Sequence, residues 1–211
     1  MKIGIIGSGF IGGTLARLFV KAGHEVVISN SRGPATLQSL IKELGPKAQA
    51  ASGTEPAQNT DLLVLAAHWR MPEALPSPGQ VAGKIVIDTM NPYTAEGGQI
   101  DIGDTTASEE TLKRLPGARL VKTFNTLWYK DLAEKGRPDL PLDQRPAIFL
   151  AGDDPEAKSI VSKLIADIGF APVDTGNLRE GGRRQQFGSP LYAKLMTGGD
   201  AQALLKTMDN G

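Results

Sequence analysis

The sequence predicts an α/β fold: a Rossmann-type, doubly wound, mostly parallel sheet with a small C-terminal lobe. Strand-like apolar runs alternate with helix-like ones, the pattern of a parallel sheet covered on both faces. The β-branched run Ile3, Ile5, Ile6 flows without a gap into Gly7-x-Gly9-x-x-Gly12, and helical periodicity (Leu15, Leu18, Phe19) starts at once. Leu62–Ala66 and Lys84–Asp88 are short continuous apolar runs, as expected of buried strands.

The remaining elements follow in order. Val26–Ser29 is the second strand, and Ala35–Leu44 a helix with Leu37, Leu40, Ile41 and Leu44 on one face. Ala48–Ala51 fits a short third strand. Asn59-Thr60-Asp61 makes the turn before Leu62–Ala66, and Lys84–Asp88 follows. Ala118–Lys122 and Ala147–Ala151 are further strands. Pro155–Ile168 is an amphipathic helix with Ile160, Val161, Leu164, Ile165 and Ile168 inward and Asp153 or Asp154 as its cap. Phe170–Val173 is a last strand. Residues 91–108 and 131–146, polar and rich in Gly and Pro, are expected to be loops. The 211 residues suit a single domain, with 1–152 as a dinucleotide-binding core and 153–211 as a C-terminal α/β extension.

Composition removes several classes of function. Acidic and basic residues balance at 23 each, so bulk charge favours neither nucleic acid nor an anionic membrane. Without cysteine there is no thiol catalysis, disulfide or thiolate metal site, and two histidines cannot build a histidine-rich one. No apolar run approaches a membrane span, and a first strand at residue 2 leaves no room for a signal peptide. The expectation is a cytoplasmic protein with a small-molecule substrate and no metal, nucleic acid or membrane partner; homodimer formation is left open.

The glycine-rich turn has a specific chemistry. Gly7 permits a tight turn, Gly9 lets a pyrophosphate approach the backbone without meeting a Cβ, and Gly12 allows close helix–strand packing. With Ser8, Phe10 and Ile11, these residues open a helix whose free N–H groups suit phosphate. An enzyme that prefers NAD places Asp or Glu about 20 residues further on, against the ribose hydroxyls. Here that corner reads Asn30-Ser31-Arg32, with Thr36 on the next helix and no carboxylate. The Arg32 guanidinium can pair with a 2′-phosphate that a carboxylate would repel, and Ser31 adds a neutral donor. The expected cofactor is therefore NADP(H).

Ligands of open α/β sheets bind beyond the carboxyl ends of the strands. Small residues Ala66 and Ala67 would let a dinucleotide cross the rim there. Asn91-Pro92 would wall the nicotinamide, and Asn125 would hold its carboxamide or the substrate. His68 is the only near-neutral titrating group at these ends. It is better explained as a cleft-lining residue beside Trp69 than as a catalyst, so no catalytic residue is assigned. Asp88 is expected to bond loop amides, and His24 to be structural. Lys122 and Asn125 are three apart on a strand and turn, whereas the Lys/Asn pair of β-hydroxyacid dehydrogenases needs a spacing of about four on one helix face.

Taken together, Gly7–Ala16, Gly23–Pro34, Ile87–Tyr93 and Lys122–Thr126 resemble the NADP oxidoreductases that use the deazaflavin coenzyme F420. The cytosolic domain of six-transmembrane ferric reductases is similar at the first two of these motifs. The resemblance covers the chain nearly end to end and is specific mainly over the first 130 residues. It implies that Ser31 and Arg32 bind the 2′-phosphate, that the deazaflavin lies against the nicotinamide near Asn91, Pro92 and Asn125, and that hydride passes directly between the rings. The segment from Gly176 to Tyr192 looks like the bacterial branch, and its Arg179, Arg183 and Arg184 either belong to a solvated, glycine-loosened loop or attract an anionic tail on a flavin or deazaflavin. Two alternatives remain: an NADPH-dependent flavin or ferric reductase, and a non-catalytic NADPH-sensing protein.

Overall fold

Eight strands form one sheet in the order β3-β2-β1-β4-β5-β6-β7-β8 in the computed structural model, which describes residues 1–209. The strands are β1 (Lys2–Ile6), β2 (Glu25–Asn30), β3 (Ala48–Ser52), β4 (Leu62–Leu65), β5 (Ile85–Asp88), β6 (Arg119–Thr123), β7 (Ala147–Gly152) and β8 (Ala171–Asp174). All neighbours are parallel except β6 and β7, so β7 and β8 run against the other six. The chain reverses its winding between β1 and β4, and a crevice opens at such a switch point.

Helices α1 (Phe10–Lys21), α2 (Gln38–Leu44), α3 (Pro78–Val81), α4 (Ala107–Arg114), α5 (Tyr129–Glu134), α6 (Pro155–Asp167), α7 (Glu180–Arg184) and α8 (Gly198–Asp209) complete the fold. Alternate residues of a strand face opposite ways, so the apolar strands feed two cores at once. Leu62 and Val64 join Ile3, Phe19 and Phe124 on one face, while Leu63 and Leu65 join Trp69, Val86 and Leu120 on the other. Burying each such side chain contributes about 1.5–3 kcal/mol. The C-terminal lobe forms the far edge of this same sheet, where Phe149 and Val173 pack against Leu191, Ala201 and Leu205. Residues 210–211 of the expected extension lie outside the described residues.

Several boundaries differ from expectation. The predicted helix over 35–44 splits into a 3-10 turn, Pro34–Leu37, followed by α2, because Pro34 opens it and Gly33 sits at φ +86° before it. The region 131–146 is not all loop: α5 runs to Glu134, burying Leu132. Helix α4 begins inside the expected 91–108 loop, on a capping box in which Thr106 Oγ1 accepts from Glu109 N at 3.1 Å. The α6 cap is Asp154, whose carboxylate accepts from Glu156 N and Ala157 N. It also pairs with Arg119, which holds the Asp154 carboxyl down at about 2. Among the described residues no helix is long and apolar enough to cross a membrane, and no group of three or more Asp, Glu or His could hold a metal ion.

Candidate functional site

The turn between β1 and α1 shows why its three glycines differ. Gly7 has φ +106°, and a Cβ there would lie 2.3 Å from the Ala66 carbonyl oxygen. At Gly12 a Cβ would sit 1.9 Å from the Gly7 oxygen, so this glycine serves helix–strand contact. Gly9 caps α1 with φ −71° and ψ −162°, and nothing lies within 4 Å of its missing Cβ. That empty position faces a cleft of about 630 Å³. The cleft thus fits a dinucleotide whose pyrophosphate occupies the space a side chain would fill, against the first N–H groups of α1. Gly9→Ala is expected to leave the melting temperature unchanged and weaken dinucleotide binding about tenfold or more, the equivalent of one charge-assisted hydrogen bond. Gly12→Ala is expected to lower the melting temperature instead, since backbone must move. Thermal melts beside fluorescence titration separate the two.

Of the predicted residues, Gly7, Ser8, Gly9, Phe10, Ile11, Asn30, Ser31, Arg32, Ala66, Ala67, His68 and Asn91 line this cleft. Gly12 and Thr36 do not line it, while Pro92 and Asn125 face a second cavity. Asn30 is a brace: its Nδ2 donates to Ser8 Oγ at 3.1 Å and to Thr36 Oγ1 at 3.0 Å, and its Oδ1 accepts from Arg32 N at 2.9 Å. Thr36 Oγ1 in turn donates to the Gly33 carbonyl at 2.8 Å. These bonds fix the turn at the end of β2 and leave Ser31 and Arg32 exposed. Among the described residues the Arg32 guanidinium has no partner, which makes it a free cation at the cleft's edge. Sequence reading missed Gly53 and Thr54 on this wall, although they directly follow β3 and so obey the same strand-end rule.

The second cavity, about 440 Å³, meets the first at Asn91 and Tyr93. Phe124, buried at the end of β6, has φ +62°, a left-handed conformation that turns the chain sharply before Asn125. The two asparagines then interlock: Asn91 Nδ2 donates to the Asn125 carbonyl at 3.0 Å, and Asn125 Nδ2 donates to Asn91 Oδ1 at 3.1 Å and to the Gln185 carbonyl at 3.0 Å. Tyr192, from the C-terminal segment, reaches the same cluster; nothing in its local sequence marks it out.

Lys122 forms part of the buried wall of this cavity. It is 3 % exposed, donates to the Met90 carbonyl, and lies 3.6 Å from the carboxylate of the fully buried Asp88. Burial pushes the Lys122 ammonium below the usual lysine range, with Asp88 opposing the shift. Asp88 bonds the Met90 amide at 2.9 Å as expected, and also accepts from Ser108 Oγ at 3.1 Å. The arginine loop turns out to be ion-paired: Arg179 and Arg183 both bind Asp104, and Arg184 binds Asp209. Those pairs tie α7 to the segment before α4 across the second cavity's rim. His68 is exposed on the first cleft.

Residues 2–92 match the family of coenzyme F420-dependent NADP oxidoreductases. Over that segment the chain resembles this family. A solved structure of a hypothetical protein from Sinorhizobium meliloti is 33% identical, with a TM-score of 0.83 over 93% of this chain and 95% of that one. Another, from an Arthrobacter species and described as an F420-dependent NADP reductase, is 25% identical, with a TM-score of 0.72 over 100% and 92% of the two chains. Among curated proteins, the rat metalloreductase STEAP3 is 32% identical over 84% of this chain. The chain spans about a third, 34%, of that relative's length. Arg32 lies inside the matched segment, at the edge of the first cleft.

Proposed function

We propose that the protein is a cytoplasmic enzyme that transfers hydride between NADP(H) and a deazaflavin, coenzyme F420, or a flavin-like acceptor. The observation that carries this reading is the junction of two cavities at Asn91 and Tyr93, one of dinucleotide size with a free cation at its far end and one large enough for an acceptor ring. NADPH, when bound, supplies the hydride. Gly9 and the α1 amides hold its pyrophosphate, Ser31 and Arg32 its 2′-phosphate, and Ala66 and Ala67 leave room at the rim. The interlocked Asn91 and Asn125 make a stiff rim where the two cavities meet, against which nicotinamide and acceptor ring can be held together, so geometry and water exclusion supply most of the acceleration.

Stopped-flow mixing of the NADPH-loaded protein with F420, FMN and FAD tests the reading. Rapid loss of NADPH absorbance with F420 is the expected result, and no oxidation by any of the three would replace the enzyme with an NADPH sensor. The similarity to a metalloreductase favours one other acceptor pair, flavin and a ferric chelate, which the FAD mixture with added chelate reports. A homodimer is part of the proposal. It is supported by Phe10 and Trp128, 72% and 56% exposed on either side of Tyr129, and a sedimentation mass of one 22.3 kDa chain would remove it.

A further inference from the structure

A chain of hydrogen bonds at the junction of the two cavities has a direction, and the direction leaves one proton unspent. Carbonyl oxygens can only accept, so the Asn125 and Gln185 main chains fix which end of each asparagine side chain is the NH₂. Asn91 Nδ2 therefore donates its second proton to the Tyr192 hydroxyl, at 3.3 Å. An amide nitrogen cannot accept in return. Among the described residues, the Tyr192 proton then has a single acceptor in reach, the Tyr93 oxygen at 2.6 Å. With Tyr192 as the donor of that pair, the arrangement that satisfies its proton within the cluster, the Tyr93 proton has no acceptor among the described residues. Burial, and then the bond to Tyr93, push the Tyr192 phenol far above its ordinary range, so Tyr192 keeps its proton.

Tyr93 is held firmly at this place. An antiparallel bridge joins it to Gln99, its amide bonds the Asn91 carbonyl at 2.9 Å, and Ile100 N closes the hairpin on the Pro92 carbonyl at 2.8 Å. Tyr192 is pinned from below by Ala193 N on the Thr126 carbonyl at 2.9 Å and by the Phe187 ring. Tyr93 lines both cavities. A donor at that junction, backed by a polarised relay from Asn91 through Tyr192, is where charge develops when an acceptor is reduced.

We propose that Tyr93 is the proton donor of the reaction, an inference that rests on the hydride-transfer reading above. Hydride carries two electrons and one proton, so an acceptor reduced by it needs one further proton for neutrality. As the hydride leaves the reduced nicotinamide, the Tyr93 O–H bond breaks and its proton goes to the acceptor heteroatom, a ring nitrogen or conjugated carbonyl oxygen, that receives the displaced electron pair. The nicotinamide is oxidised and the acceptor reduced by two electrons. The Tyr93 phenolate is held by the short, now charge-assisted bond from Tyr192 and takes a proton back from water. Tyr192 and Asn91 are positioning residues. The chemistry selects acceptors that are conjugated and carry such a heteroatom, and disfavours a bare metal ion as the direct hydride acceptor.

The test is single-turnover oxidation of NADPH by F420, or by FAD if that is the acceptor the wild type uses, in H₂O and in D₂O. Tyr93→Phe is expected to slow the step about 100-fold and to abolish its solvent deuterium isotope effect, with the NADPH dissociation constant unchanged. Tyr192→Phe is expected to slow the step less and to keep the isotope effect, since it leaves the donor and removes only its support. A wild-type rate and isotope effect in Tyr93→Phe overturn the proposal while leaving hydride transfer intact. A wild type that oxidises NADPH with no acceptor overturns the underlying reading, and this one with it. Should Tyr93→Phe lose NADPH binding, Tyr192→Phe decides, and an unchanged rate there counts against Tyr93.

Discussion

Lys122→Met is expected to lower the unfolding free energy by about 3–5 kcal/mol, the usual cost of stranding one member of a buried charge pair. Asp88 is fully buried, and the ammonium 3.6 Å away is its only cationic neighbour among the described residues. The Ser108 hydroxyl and Met90 amide satisfy carboxylate oxygens but bring no positive charge. Methionine fills a similar volume, so a cavity contributes little and the loss reports the charge. Adding Asp88→Asn is expected to recover much of the loss, because a neutral amide can remain at that position beside the Ser108 hydroxyl. Urea unfolding of the two single variants and the double variant measures this, and a Lys122→Met loss of about 1 kcal/mol or less would show that Lys122 is neutral and the pair unimportant. The same pair sits under Met90 and Asn91, at the cavity junction, so the destabilised variant is also expected to bind acceptor less well.

Arg32→Ala is expected to weaken NADPH binding about 10- to 100-fold while leaving NADH binding nearly unchanged. The side chain is exposed and unpaired among the described residues, so its removal strands nothing in the protein and the melting temperature should hold. The loss arises only when a 2′-phosphate arrives to find its charge-assisted partner missing. Being a surface interaction it is screened, so the preference for NADPH should narrow as salt is raised, and narrow less in the variant. Isothermal titration with both dinucleotides at low and high salt checks this. Equal losses for NADPH and NADH would mean that Arg32 touches some other part of the ligand.

The strands, their order of appearance and the glycine-rich turn were legible because each rests on local chemistry. Apolar runs such as Leu62–Leu65 can be satisfied only inside a two-sided sheet, and Gly7, Gly9 and Gly12 are needed by the backbone within one turn of themselves. Helix α5 was harder to read, since its six residues bury only Leu132 and carry little amphipathic signal. Lys122 was weighed in the sequence only against Asn125, because its partner Asp88 lies on the neighbouring strand, a parallel register that no sequence spacing encodes. The arginines at 179, 183 and 184 had the composition of an anion site. Their carboxylate partners, Asp104 and Asp209, are distant in sequence and appear only once α7 and α8 are in place.

By itself, then, the sequence determined the individual strands, the glycine-rich turn and the cation at the end of β2, features that rest on patterns within a few residues. The tertiary structure alone decided how the predicted Asn91 and Asn125 interlock and which tyrosines join them. Asn91, Asn125, Tyr93 and Tyr192 come from three separate segments, and the last two are 99 residues apart along the chain. The direction of a hydrogen bond depends on which groups finally meet, and closing so long a loop is the work of the whole packed fold rather than of any local preference.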